Sequence, residues 1–161
     1  MNRLYLAILP LALLSSPANA ARLTDPLRFW EGRTETVSTI KVLMKKAFKS
    51  RSIGRGEIKS DGSLELVQRV EDEGKPPRER RWVIRKAGPN RYVGTMNEAS
   101  GPVVIDEIGD RFRFRFKMKG NLSVEQWITP GAGGKTGRNK LTIKKLGVTV
   151  ANSEGVIRKL D

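Results

Sequence analysis

Between residues 111 and 119 the chain reads RFRFRFKMK, a strict alternation of cation and apolar residue that ends at Gly120. A two-residue period is that of a β-strand with one face in a core and the other in water. Cations two residues apart on a strand lie roughly 7 Å apart, so the neighbours in the row Arg111, Arg113, Arg115, Lys117 and Lys119 together repel by about 2 kcal/mol in water. Burying Phe112, Phe114, Phe116 and Met118 is worth roughly 6 to 12 kcal/mol, whereas burying the cations would cost several kcal/mol per ion. The aromatic face is therefore expected inside and the charged face outside. Leu64, Leu66 and Val70 share a face in the same way, as do Leu122, Val124 and Ile128.

The same pattern extends along the chain. Turn signals recur at Ser60-Asp61-Gly62, Gly74-Lys75-Pro76-Pro77, Gly88-Pro89-Asn90, Ser100-Gly101-Pro102, Gly109-Asp110, Gly120-Asn121 and Pro130 to Gly137. The β-branched and aromatic stretches between them predict strands over 34–43, 47–59, 63–72, 79–87, 91–98, 102–108, 111–119, 122–129, 139–150 and 155–160. No window has a sustained helical period apart from a turn near Asp25 to Trp30. Short connections favour antiparallel neighbours, and a sheet this wide tends to curl and close. The expected fold is all-β: an antiparallel meander closed or nearly closed into a barrel of about 8 to 10 strands. Gly54 and Gly56, inside a predicted strand, are expected to mark a bend or bulge.

The first twenty residues change the picture. MNRLYLAILPLALLSSPANA has one cation, an apolar run from Leu4 to Leu14 and the small-residue pattern Ala18-Asn19-Ala20, which together read as a secretory signal peptide cleaved before Ala21. A bilayer span needs about 20 apolar residues, more than this run supplies. The expected product is one domain over 21–161, exported to a Gram-negative periplasm. The chain has no cysteine, so it uses no disulfide and carries no lipidated cysteine. Net charge is +14, and loss of Arg3 with the leader leaves +13. The cations are spread over every segment, an arrangement that speaks to solubility and nonspecific association and not to fold.

Phe29-Trp30-Glu31-Gly32, Arg81-Trp82, Tyr92-Val93-Gly94, Gly101 and the run from Asn139-Lys140-Leu141 to Lys145-Leu146-Gly147 together resemble the bacterial envelope family called domain of unknown function 3833. That resemblance implies a lipocalin-like barrel with an apolar cavity, and it brings no catalytic residues. Many members of that family look like lipoproteins, from which this cysteine-free chain departs.

Candidate chemistry is limited. The absence of histidine and cysteine removes ordinary zinc sites, histidine triads and thiol nucleophiles. The carboxylates Asp106, Glu107 and Asp110, and Glu71, Asp72 and Glu73, are better read as solvated ion-pair partners in a basic protein, so no enzyme and no cofactor is expected. Gly131 to Thr136 ends like a phosphate-binding loop, but Thr129 stands where that motif needs glycine and a strand follows instead of a helix.

Gln68 and Gln126 interrupt apolar faces. Either they help to orient a ligand in a cavity, or each amide bonds a neighbour, or a bulge turns Gln126 out and Trp127 in. With Trp82, Tyr92, Phe112, Phe114, Phe116 and Trp127 they make up the candidate cavity residues. The row Arg111, Arg113, Arg115, Lys117 and Lys119 is the candidate site for an anionic membrane surface or other polyanion. Nucleic acid is disfavoured, because the rings that could stack on bases are needed inside. The expected function is carriage of a hydrophobic or amphiphilic small molecule. The alternative is a solid barrel whose basic face docks to an envelope polymer, a membrane or a protein partner.

Overall fold

A computed structural model describes residues 26–161. The expected leader lies outside those residues. A 3-10 segment, Pro26–Trp30, precedes ten strands: β1 Gly32–Val42, β2 Phe48–Ile58, β3 Leu64–Asp72, β4 Arg78–Gly88, β5 Arg91–Met96, β6 Val103–Ile108, β7 Arg111–Met118, β8 Leu122–Pro130, β9 Thr136–Lys145 and β10 Val148–Lys159. Each strand pairs antiparallel with the next, and β10 returns to β1, so the sheet closes into a barrel with no free edge.

Alternation sets the inside. Phe112, Phe114 and Phe116 on β7 are buried, as are Leu64, Leu66 and Val70 on β3, while Arg111, Arg115 and Lys117 are exposed. The charged outer face of β7 is the opposite of the apolar outside of a membrane-spanning barrel.

Three expectations need correction. The last two strands are not divided near Asn152: β9 ends at Lys145, Leu146-Gly147 forms the turn, and Ala151 to Glu154 lies within β10. Leu146 and Gly147 both have positive φ, so a leucine occupies a turn position normally held by asparagine or glycine. Gly54 and Gly56 produce no bulge; β2 keeps one register with both neighbours. They are needed for close approach, since a Cβ on Gly54 would lie 2.8 Å from the Thr34 hydroxyl and one on Gly56 would overlap the Trp30 carbonyl. The register shifts fall instead between Lys86 and Gly88 and between Thr149 and Ala151. Finally, not every cation is outside: Arg78 and Arg80 share the inward parity of Trp82 and Ile84 on β4.

Candidate ligand-binding site

One end of the barrel is plugged. Leu27, Phe29 and Trp30 of the 3-10 segment are buried there, with the Phe29 and Trp30 rings edge to face at 5.0 Å. Gly137 on β9 admits the Phe29 ring, which would lie 2.9 Å from a Cβ at that position. Ile84, Tyr92, Ile105 and Phe112 pack around Leu27 and Trp30 and leave a residual space of only about 10 Å³. Tyr92 and Phe112 therefore belong to the packed floor and not to a ligand cavity, a correction to the sequence expectation.

Above this floor lies a cavity of about 210 Å³. Its walls differ in chemistry because the strands differ in sequence. On β3, β4, β7 and β8 the inward positions are Leu66, Val70, Trp82, Phe114, Phe116 and Val124, and the Trp82 ring meets Phe114 and Phe116 edge-on at 6.2 and 5.9 Å. On β1, β2 and β10 they include Thr36, Ser38, Ser50, Ser52 and Ser153, short hydroxyl side chains that leave room and present hydrogen-bonding groups, beside the apolar Ile40, Ala151 and Ile157. Gln68 and Gln126 both point inward and both bond a neighbour. Trp82 Nε1 donates to Gln68 Oε1 at 2.8 Å, and Gln126 Nε2 donates to Asn139 Oδ1 at 2.9 Å. Five of the predicted cavity residues, Gln68, Trp82, Phe114, Phe116 and Gln126, thus meet in one place.

The opposite end carries an ion-pair cluster at the cavity mouth. Arg78 bridges two carboxylates, Nη1 to Asp72 Oδ2 and Nε to Glu98 Oε1, each at 2.7 Å. Arg80 holds the other Glu98 oxygen at 2.7 Å. Burial of Asp72 opposes ionisation, but hydrogen bonds from Ser50 and Arg78 and the charges of Arg78 and Lys75 outweigh it and hold its carboxyl below the usual range. Sequence reasoning missed Arg78, Arg80 and the serine wall. The parity of Trp82 and Ile84, carried back along β4, would have placed both arginines inside.

Trp127 lies on the outer face, contrary to its assignment to the cavity. β8 keeps an unbroken register with β7 and β9, so Gln126 inside requires Trp127 outside. There its ring stacks against the Arg111 and Arg113 guanidinium groups at 4.7 and 5.7 Å, and its Nε1 donates to Glu125 at 3.0 Å. The cationic row is partly engaged as well. Asp106 binds Arg115 at 2.7 Å, Arg113 at 3.5 Å and Arg91 at 3.9 Å. Slight burial works against its ionisation, yet Arg115, Arg113 and Arg91 together keep its carboxyl below the ordinary range. Lys117 and Lys119 are exposed beyond this group.

Fold and cavity together define a lipocalin-like barrel, closed at one end and open at the other. Among solved structures the chain is similar to an S-type phycobiliprotein lyase from Guillardia theta, with a TM-score of 0.67 at 10% identity over 84% of this chain and 90% of that one. It is also similar to a protein of unknown function of the DUF3598 family from Nostoc punctiforme PCC 73102, with a TM-score of 0.61 at 8% identity over 91% of this chain. The match spans about half of that longer protein, 53%. Identity this low shows a shared fold alone. No protein-family model matches the sequence, and no curated protein matches it.

Proposed function

We propose that the protein is an exported binding or carrier protein that holds a small amphiphilic molecule inside the barrel. The observation that carries this reading is the mixed cavity: rings and aliphatic groups concentrated on β3, β4, β7 and β8, hydroxyl groups concentrated on β1, β2 and β10, and the Gln68 and Gln126 amides set among the apolar strands, open at one end. An apolar moiety would lie against Trp82, Phe114 and Phe116, and a polar group would face Ser38, Ser52 and Ser153. A solid interaction module would need a filled interior, and a space of about 210 Å³ counts against it. Carriage is favoured over catalysis because the chain has no histidine or cysteine and the carboxylates at the mouth are tied to arginines. Likeness of fold to a lyase does not transfer that activity. The apolar run and small-residue pattern of the first twenty residues support export to the periplasm.

Native mass spectrometry of protein purified from its own compartment, followed by solvent extraction, tests the proposal. A retained amphiphile of stoichiometric abundance is the expected result. Repeated recovery of empty protein that also fails to bind any of a panel of fluorescent fatty acids and lysolipids would overturn it.

Three variants locate the site. Trp82 and Trp30 line the cavity and Trp127 does not. Ligand addition should therefore change intrinsic fluorescence equally in wild type and Trp127→Phe, and less in Trp82→Phe, where Trp30 is the remaining reporter in the cavity. Ser52→Phe should fill the cavity and weaken binding at least tenfold. Because the ring enters empty space, its stability should stay within about 1 kcal/mol of wild type in urea.

A further inference from the structure

The most exposed large apolar side chains among the described residues are Met44 (97%), Leu146 (82%), Val148 (60%) and Leu43 (59%). All of them sit on two hairpin tips, one between β1 and β2 and the other between β9 and β10. The tips are neighbours at the open end of the barrel. Val42 pairs with Ala151, and the Leu43 amide donates to the Val150 carbonyl at 2.8 Å. Directly beneath them, Ile40, Ile143 and Ala151 line the upper cavity.

Backbone geometry makes this placement costly. Met44 has φ +59° and Leu146 has φ +50°, a left-handed region that strains residues bearing a Cβ and suits glycine or asparagine. The two most water-exposed apolar side chains thus occupy positions where neither backbone nor internal packing gains from them. Something outside the fold must account for their exposure.

The surroundings specify its chemistry. Residues 41–50 and 141–150 contain no aspartate or glutamate. Lys41, Lys45, Lys46, Lys144 and Lys145 are exposed, and none has an ion-pair partner among the described residues. The cationic row on β7 differs, because its arginines are engaged by Asp106 and Trp127. Apolar side chains that protrude on ridges, with unpaired lysines around them, fit a soft anionic surface better than a preformed protein pocket.

We propose that the mouth of the barrel docks on an anionic lipid bilayer. Leu43, Met44, Leu146 and Val148 enter the boundary between headgroups and acyl chains, and the lysines meet headgroup phosphates. Docking in this orientation sets the cavity opening against the membrane. The surface is independent of what the cavity holds, so it stands or falls separately from the carrier reading.

The test uses protein beginning at Ala21, so that the apolar run Leu4–Leu14 cannot itself insert; every described strand is retained. Flotation is measured with phosphatidylcholine vesicles with and without phosphatidylglycerol, at low and high salt. Wild type should bind the anionic vesicles at least tenfold more than the neutral ones and lose binding as salt rises. Met44→Asp/Leu146→Asp should reduce binding at least tenfold with an unchanged circular dichroism spectrum and unfolding midpoint, while Val83→Asp, on the barrel wall, should bind as wild type does. Equal binding by the double variant would overturn the proposal. So would equal affinity for neutral vesicles, or a concentration-dependent dimer that the double variant abolishes in a protein indifferent to vesicles.

Discussion

Gly56→Ala is expected to lower the thermal unfolding midpoint by roughly 6 to 12 °C, from a loss of about 3 kcal/mol at about 2 to 4 °C per kcal/mol for a domain of this size. The new methyl group would overlap the Trp30 carbonyl oxygen, lie 2.8 Å from the Trp30 carbonyl carbon and crowd Leu64 at 3.2 Å. Backbone cannot turn aside as a flexible side chain can, so the 3-10 segment must lift. Leu27, Phe29 and Trp30 go with it, and each of them is less than 10% exposed in the closed barrel. Full loss of that burial would cost about 1.5 to 3 kcal/mol per side chain, and partial relaxation explains the smaller expected figure. Urea and thermal unfolding would be followed together with tryptophan emission, which should shift to the red in the folded variant as Trp30 meets water. Gly101→Ala is the control, because nothing lies within 4 Å of its would-be Cβ. If Gly56→Ala unfolds with Gly101→Ala, the plug is not held by this contact.

Much of this architecture is legible in local pattern. The alternation at Phe112, Phe114, Phe116 and Met118 assigns the inside of β7 correctly, because four large apolar groups outweigh a row of cations. The 3-10 turn before β1 also lies where the sequence suggests. The misses share one cause: contacts between residues far apart in sequence. RERR at residues 78 to 81 looks like a solvated charge run, and only the meeting of Asp72 at the end of β3 with Glu98 beyond β5 makes an inward Arg78 tolerable. Ala151-Asn152-Ser153-Glu154 has the composition of a turn, but pairing with both β1 and β9 holds it extended. Leu146-Gly147 lacks turn composition at its first residue and is nonetheless the turn. Gly54 and Gly56 look like a bend by composition, yet they answer to Thr34 on the neighbouring strand and to Trp30 just before it. At Gln126 and Trp127 hydrophobicity alone would exchange the two faces. Strand register decides otherwise, and the indole gains a stack on two arginines outside.

Arg78→Met should destabilise the barrel by about 1 to 3 kcal/mol at neutral pH, the cost of leaving a buried carboxylate without its charged donor. The methionine keeps the apolar stem but removes the 2.7 Å contacts to Asp72 and Glu98. Asp72 bears most of the consequence, since its side chain is only 5% exposed and its next cation, Lys75, stands 3.9 Å away. Glu98 keeps Arg80. The lower half of the range is expected, because the Arg78 side chain is 39% exposed at the mouth and water screens part of the interaction. The double variant Asp72→Leu/Arg78→Met should recover most of the loss, as replacing both members of a buried pair by apolar groups commonly does. Acid supplies an independent check. In the wild type the Asp72 carboxyl titrates below its ordinary value of 3.8, so its contribution is complete above that value and disappears as pH falls through the depressed one. In Arg78→Met the arginine's hydrogen bond and charge are gone while burial, the Ser50 hydrogen bond and the Lys75 charge remain, so the carboxyl protonates at higher pH than in wild type and sheds its penalty earlier. The stability gap between wild type and Arg78→Met, measured by urea unfolding from about pH 7 to about pH 3, should therefore narrow with acid. A gap of constant size across that range would mean that lost packing, and not an orphaned carboxylate, is what the substitution exposes.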